Sequence, residues 1–177
     1  MTTSALTSSA RTWFMKQVRQ HWPLCLLLLV VIPFEIMLRL HARPNVFPDS
    51  WGYWELAKAI LAGNWYHERF TFRTPGYPAF LAAVFSLAGD KNWDAVISAQ
   101  FLLGATMPVG LYVVYYRISG KTWIAALGAA AFLADRYTLE LQAVPLTECL
   151  SAILAVWFLA AYVIASERKV WWQAVLV

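Results

Sequence analysis

The chain has 177 residues, 60% of them hydrophobic and 14% charged, with a net charge of +4. A soluble domain carries about 25% charged residues, so this chain has too little charge to cover itself in water, and a soluble enzyme or binding domain is excluded. Its basic residues form no run of the nucleic-acid-binding kind, so no nucleic-acid partner is expected.

The composition predicts an all-α, polytopic membrane helix bundle. A span needs about 20 apolar residues, so the length suits roughly four spans. Residues 1–20 are polar and carry Arg11, Lys16 and Arg19 with no acid. They read as a cytoplasmic N-terminal segment. The apolar run WPLCLLLLVVIPF follows, and Glu35, Arg39 and His41 stand where a cleavage site would be, which predicts an uncleaved signal anchor over residues 21–40. Glu35 and Arg39 lie four apart and can pair on one helix face.

Residues 41–92 form a long loop. Asp49 or Ser50 is placed to cap a short helix and Gly63 to stop it. Between them Tyr53, Leu56, Ala57, Ile60 and Leu61 share one face and Glu55 and Lys58 the other, a pattern that suits a helix lying on the membrane surface. The run YPAFLAAVFSLAG is short for a span and suits a second interfacial helix.

Spans are predicted at 93–116, 122–133 and 146–165. With the N-terminus inside, Arg117 with Lys121, and Arg168 with Lys169, all fall on the cytoplasmic side, while Asp135, Arg136 and Glu140 fall outside. The terminal VWWQAVLV reads as the start of a fifth span, cut off because the chain is a fragment or because the natural protein is short. Residues 21–177 thus form one transmembrane module. Trp22, Trp93, Trp123, Trp171 and Trp172 stand at the ends of apolar runs, where aromatic belts sit. Cys25 and Cys149 fall inside apolar segments and read as small buried hydrophobes.

Two sets of candidate chemistry then meet on the outer face. One is the loop, with Asp49, Tyr53, His67, Arg69, Arg73 and Tyr77. The other is the turn before the last full span and its mouth, with Asp135, Arg136, Glu140 and Glu148. Arginine offers a forked donor to phosphate oxygens. A carboxylate can take a proton from an attacking hydroxyl, and two carboxylates can share a hard divalent cation. Each residue also has a plain structural reading: Asp49 as a helix cap, Glu148 as a first-turn acid beside Thr147, Arg73, His67 and Arg69 among lipid head groups or solvent, and Tyr53 and Tyr77 as interface anchors.

The order of four pieces carries a resemblance: PDSWGYWELAKAILAGNW after the first span, RTPGYPAFLAAVFSLAG, YYRISGKTW and AVPLTECLSAIL. In this order they resemble the N-terminal part of the GT-C membrane glycosyltransferases, the class of the protein mannosyltransferases and the aminoarabinose transferase of lipid A. The resemblance implies a transferase that moves a sugar from a polyprenyl-phosphate lipid to a glycan, lipid or protein acceptor on the extracytoplasmic face, in a bacterial inner membrane. By position it implies Asp49 as the loop acid, Glu148 as the second acid and Arg73 as the arginine before the Pro-Gly-Tyr-Pro turn. Tyr53, Tyr77, His67 and Arg69 would line the substrate site. Many relatives carry two acids in the loop, whereas Asp49 is followed by Ser50. A Mg²⁺ or Mn²⁺ ion held by Asp49 and Glu148 therefore stays an open expectation. The alternative is a non-catalytic membrane module that binds a lipid carrier or joins a second subunit.

Overall fold

The computed structural model describes residues 15, 16, 18–65 and 73–167. The described chain is helical. Its elements are α1 (Trp22–His41), α2 (Pro48–Leu61), α3 (Gly76–Ala88), α4 (Trp93–Gly104), α5 (Met107–Ser119), α6 (Thr122–Ala130), a 3₁₀ turn (Ala131–Ala134), α7 (Arg136–Leu141) and α8 (Thr147–Glu167). His67, Arg69 and the expected start of a fifth span lie outside the described residues.

Three helical stretches are long and apolar enough to cross a membrane: Trp22–His41, Trp93–Ser119 and Thr147–Ser166. The expected fourth, at 122–133, is an α-helix only to Ala130 and then tightens into the 3₁₀ turn, so it falls short of a regular span. The second stretch is not one helix. It breaks between Gly104 and Met107, where Pro108 enters at the first turn of α5 and cannot donate back to the preceding turn.

Burial separates the three stretches. Only 22% of the apolar window of α1 and 17% of that of α8 is buried, against 50% for α4–α5. The α4–α5 pair is therefore central, and the other two turn Leu29, Leu40 and Phe158 outward. Trp22 and Trp123 meet edge to face at 4.6 Å, at the end of α1 and the start of α6 where an aromatic belt was expected. Cys25, expected in the core, is exposed on the outward side of α1, whereas Cys149 is buried.

Three clusters hold the bundle. Leu27 and Val31 of α1 pack with Tyr112 of α5 and Ala125 and Ala129 of α6. Met107, Phe132, Cys149 and Ile153 join α5 and the 3₁₀ turn to α8. Ala57, Ile60, Tyr77, Leu81, Phe85 and Val96 bind α2 and α3 to α4. The α5–α6 hairpin turns at Gly120, whose φ of +66° is left-handed and suits glycine.

The loop helices match their predicted places, with a shift at the first cap. Phe47, not Asp49 or Ser50, is the N-cap of α2, because Pro48 supplies the first helical residue and needs no donor partner. The Phe47 N–H donates to Ser50 Oγ at 3.2 Å. Leu56, Ala57 and Ile60 are buried as the pattern predicted, but Leu61 is 50% exposed, since the helix ends there. Gly63, at φ +80°, terminates the helix as expected.

Candidate functional site

Asp49 sits in the first turn of α2 and its side chain is 67% exposed. Freed from the cap, its carboxylate accepts a hydrogen bond from Arg73 Nη2 at 2.6 Å. Arg73 lies just before α3, and its guanidinium carbon stands 4.5 Å from the Tyr53 ring centroid, a cation–π geometry. The bond to Asp49 holds the Arg73 pKa above its ordinary value. Gly52, one helical turn from Asp49, faces the same guanidinium: a Cβ there would lie 3.4 Å from the Arg73 guanidinium carbon, in ordinary contact.

A cleft of about 380 Å³ opens beside the pair. Tyr53, Arg73 and Tyr77 line one side, and Thr147 and Ser151 of α8 the other. The sequence thus pointed to three residues that the fold brings to one cavity. It did not point to Thr147 or Ser151, whose hydroxyls put hydrogen-bonding groups opposite the guanidinium. Glu148 is exposed in the first turn of α8, and its Oε2 accepts from the Thr147 hydroxyl at 3.2 Å. Asp49 and Glu148 share no ion or hydrogen bond with each other; each is attached to a different lining residue of the same cleft.

Tyr77 is not an interface anchor in this structure. It is 3% exposed, and its hydroxyl donates to Gln100 Oε1 at 2.8 Å. Burial pushes the phenol pKa up, so the hydroxyl stays a donor. Its ring meets Tyr53 edge to face at 5.2 Å. Gln100 in turn donates to the main-chain oxygens of Gln142 at 3.0 Å and Val144 at 2.9 Å. The site wall is therefore fastened to α4 and to the segment joining α7 to α8.

The expected Glu35–Arg39 pair does not form. Arg39 donates instead to Ser98 Oγ at 2.8 Å and Asp94 Oδ1 at 3.2 Å on α4. Glu35 is buried and accepts from Gln142 Nε2 at 3.3 Å. Spacing alone gave the pair, but the tertiary contact with α4 offers Arg39 three acceptor atoms, Ser98 Oγ and the main-chain and side-chain oxygens of Asp94.

Asp135, Arg136 and Glu140 form their own local set. Asp135 caps α7 through the Thr138 N–H, and Arg136 pairs with Glu140 at 2.6 Å on the exposed face. Arg136 and Glu140 border a separate cavity of about 510 Å³ with Phe34, Leu38 and His41.

For a divalent cation the donor set is thin. Asp49 Oδ1 is committed to Arg73 and Glu148 Oε2 to Thr147, and among the described residues no group of three or more His, Cys, Asp and Glu side chains converges. These residues do not make a metal cage, and no step below is routed through one. Comparison of the chain with protein-family models, with curated proteins and with solved structures found no match.

Proposed function

We propose that the chain is a glycosyltransferase module that takes a sugar from a polyprenyl-phosphate lipid at the extracytoplasmic face of a bacterial inner membrane. The observation that carries the reading is the exposed Asp49–Arg73 pair at 2.6 Å, at the mouth of a cleft with Thr147 and Ser151 opposite. A carboxylate suited to act as a base and a cation suited to phosphate stand side by side there, which supports the reading. In the fuller arrangement, Trp22–His41, Trp93–Ser119 and Thr147–Ser166 cross the membrane, and the shorter segment 122–133 makes a fourth, compressed pass. Helices α2 and α3 then lie on its outer surface.

In this reading the lipid phosphate displaces Asp49 from one arm of the Arg73 fork. Asp49, released, accepts the proton of the attacking acceptor hydroxyl. The hydroxyl oxygen bonds to the sugar C1. The bond from C1 to the phosphate oxygen breaks, and its electron pair leaves on the polyprenyl phosphate. Arg73 meets that developing charge, and Ser151 donates to a remaining oxygen. Tyr53 holds the guanidinium in place through its ring face. Glu148 orients Thr147. The acceptor class (glycan, lipid or protein) is set by chemistry beyond these residues.

Two measurements test the proposal with the full-length protein in native membranes. Release of polyprenyl phosphate from a labelled polyprenyl-phosphate sugar should fall on the order of 10²-fold in Asp49→Asn and in Arg73→Ala. Undiminished release in Asp49→Asn removes Asp49 from the mechanism. Binding of polyprenyl phosphate that depends on Arg73, with no sugar release in the wild type, instead favours the non-catalytic carrier-binding module.

A further inference from the structure

Among the described residues Glu35 is the one buried carboxyl, 3% exposed in the apolar span α1. Its Oε1 accepts from Gln142 Nε2 at 3.3 Å, while its Oε2 has no partner. Gln142 is wholly buried, and its own Oε1 also lacks a partner. Two unmet acceptors therefore belong to the two side chains that already share one bond. An unmet buried acceptor is costly and an uncompensated buried charge more so.

Among the described residues no cation or donor bonds Oε2: Arg39 and Thr106 line a cavity with Glu35 but are engaged elsewhere, Thr106 donating to the Leu103 carbonyl at 2.6 Å. Arg39, one turn along α1, is held by Ser98 and Asp94 of α4. The titratable side chain on α8 nearby is the buried thiol of Cys149. The carbonyl end of Gln142 presses on Gly104, where a Cβ would come within 2.3 Å of Oε1, so α4 closes that side with a bare backbone.

We infer that Glu35 binds a proton and holds it, as a neutral carboxylic acid that donates to Gln142 and closes an acid–amide pair inside the bundle. A single proton supplies the missing donor, satisfies the Gln142 oxygen and removes the charge from the apolar interior. The pair is the inner end of a polar chain, Glu35–Gln142–Gln100–Tyr77, that runs from α1 to the cleft wall. Glu35 is thus a positioning residue for that wall. The inference rests on hydrogen-bond accounting and stands apart from the transfer reaction proposed above.

The experiment is infrared spectroscopy of the full chain in lipid at neutral pH, comparing wild type with Glu35→Gln. A protonated carboxyl has a carbonyl band that an ionised carboxylate lacks, and a band that disappears with the Glu35 carboxyl belongs to Glu35. The inference expects such a band in the wild type and its loss in Glu35→Gln, whose amide reproduces both bonds of the closed pair. Glu35→Gln should melt with the wild type and Glu35→Ala clearly lower. A wild-type spectrum without the band overturns the inference, even if the variants fail to fold. Equal destabilisation by Gln and Ala overturns it as well.

Discussion

Asp49–Arg73 and Glu35–Gln142–Gln100–Tyr77 are both polar clusters built onto apolar helices, yet they stand in opposite surroundings. The Asp49 and Arg73 side chains are 67% and 30% exposed, while Gln100 and Gln142 are fully buried. In the first, water competes with each partner, the ion pair is worth about 0–1 kcal/mol, and a ligand oxygen can replace the carboxylate. In the second, every lost partner leaves a group that water cannot reach, at about 1–3 kcal/mol each. The exposed cluster is suited to exchanging partners during binding, and the buried one to fixing where the exposed one sits. Tyr77 joins them: its hydroxyl belongs to the buried chain, and its ring packs on the Tyr53 that carries Arg73.

The largest effect should come from the centre of the buried chain. Gln100→Leu keeps the volume but strips partners from the Tyr77 hydroxyl and from the Gln142 and Val144 carbonyls. We expect a loss of about 3 kcal/mol or more in reversible unfolding from detergent or bicelles. A loss below ~1 kcal/mol would mean that the chain is replaceable by water or lipid. Tyr77→Phe removes only the outermost bond and leaves Gln100 Oε1 without its donor. Its cost should be intermediate, about 1–2 kcal/mol. If the two substitutions proved equal, the carbonyl bonds of Gln100 would carry little weight.

Arg73→Ala reverses the balance between stability and function. The pair it breaks is exposed, so unfolding should shift by less than ~1 kcal/mol, while sugar release falls as stated above. Arg73→Lys should rescue little, because an ammonium cannot fork across a phosphate or stack on Tyr53 as a guanidinium does. A stability loss as large as that of Gln100→Leu would erase the distinction between the two clusters.

The exposed cluster was largely legible in the sequence and the buried one was not. Asp49, Tyr53, Arg73 and Tyr77 stand out because polar and aromatic residues in a loop between apolar runs have few structural reasons to be there. Gln100 and Gln142 carried a signal, an amide within the apolar AQFLLG run and another before AVP. Nothing in one dimension tells which distant carbonyls such amides will reach: Gln100 and Val144 are 44 positions apart. The Glu35–Arg39 expectation failed for the same reason, since helix spacing sees only the neighbours on one helix. The break before α5 carried a local signal in Thr106–Met107–Pro108, but a continuous apolar pattern outweighed it. The 3₁₀ finish at Ala131–Ala134 left no mark in composition, because alanine suits either helix.

The smallest expected effect tests how far the local caps support the buried chain. Helix α7 has only six residues, and Asp135 caps it by accepting from the Thr138 N–H and hydroxyl. Asp135→Ala should cost about 0.5–1 kcal/mol, the lower part of the range for a lost cap. Those same Thr138 hydrogen bonds hold the Asp135 pKa below its ordinary value. The carboxylate's contribution is therefore fully present above the ordinary Asp range, near pH 4. It is lost as the pH falls through the lower folded value, because protonation then costs the native state its acceptor. Asp135→Asn retains a capping oxygen without titrating, so its stability relative to wild type should be flat above that range and rise below it. Since α7 ends at Leu141, next to Gln142, a loosened cap that also weakened the Tyr77–Gln100 bond would show α7 transmitting strain into the buried chain. If Asp135→Ala leaves hydrogen exchange at Gln142 and Val144 unchanged, the chain is instead anchored by α1 and α4 alone.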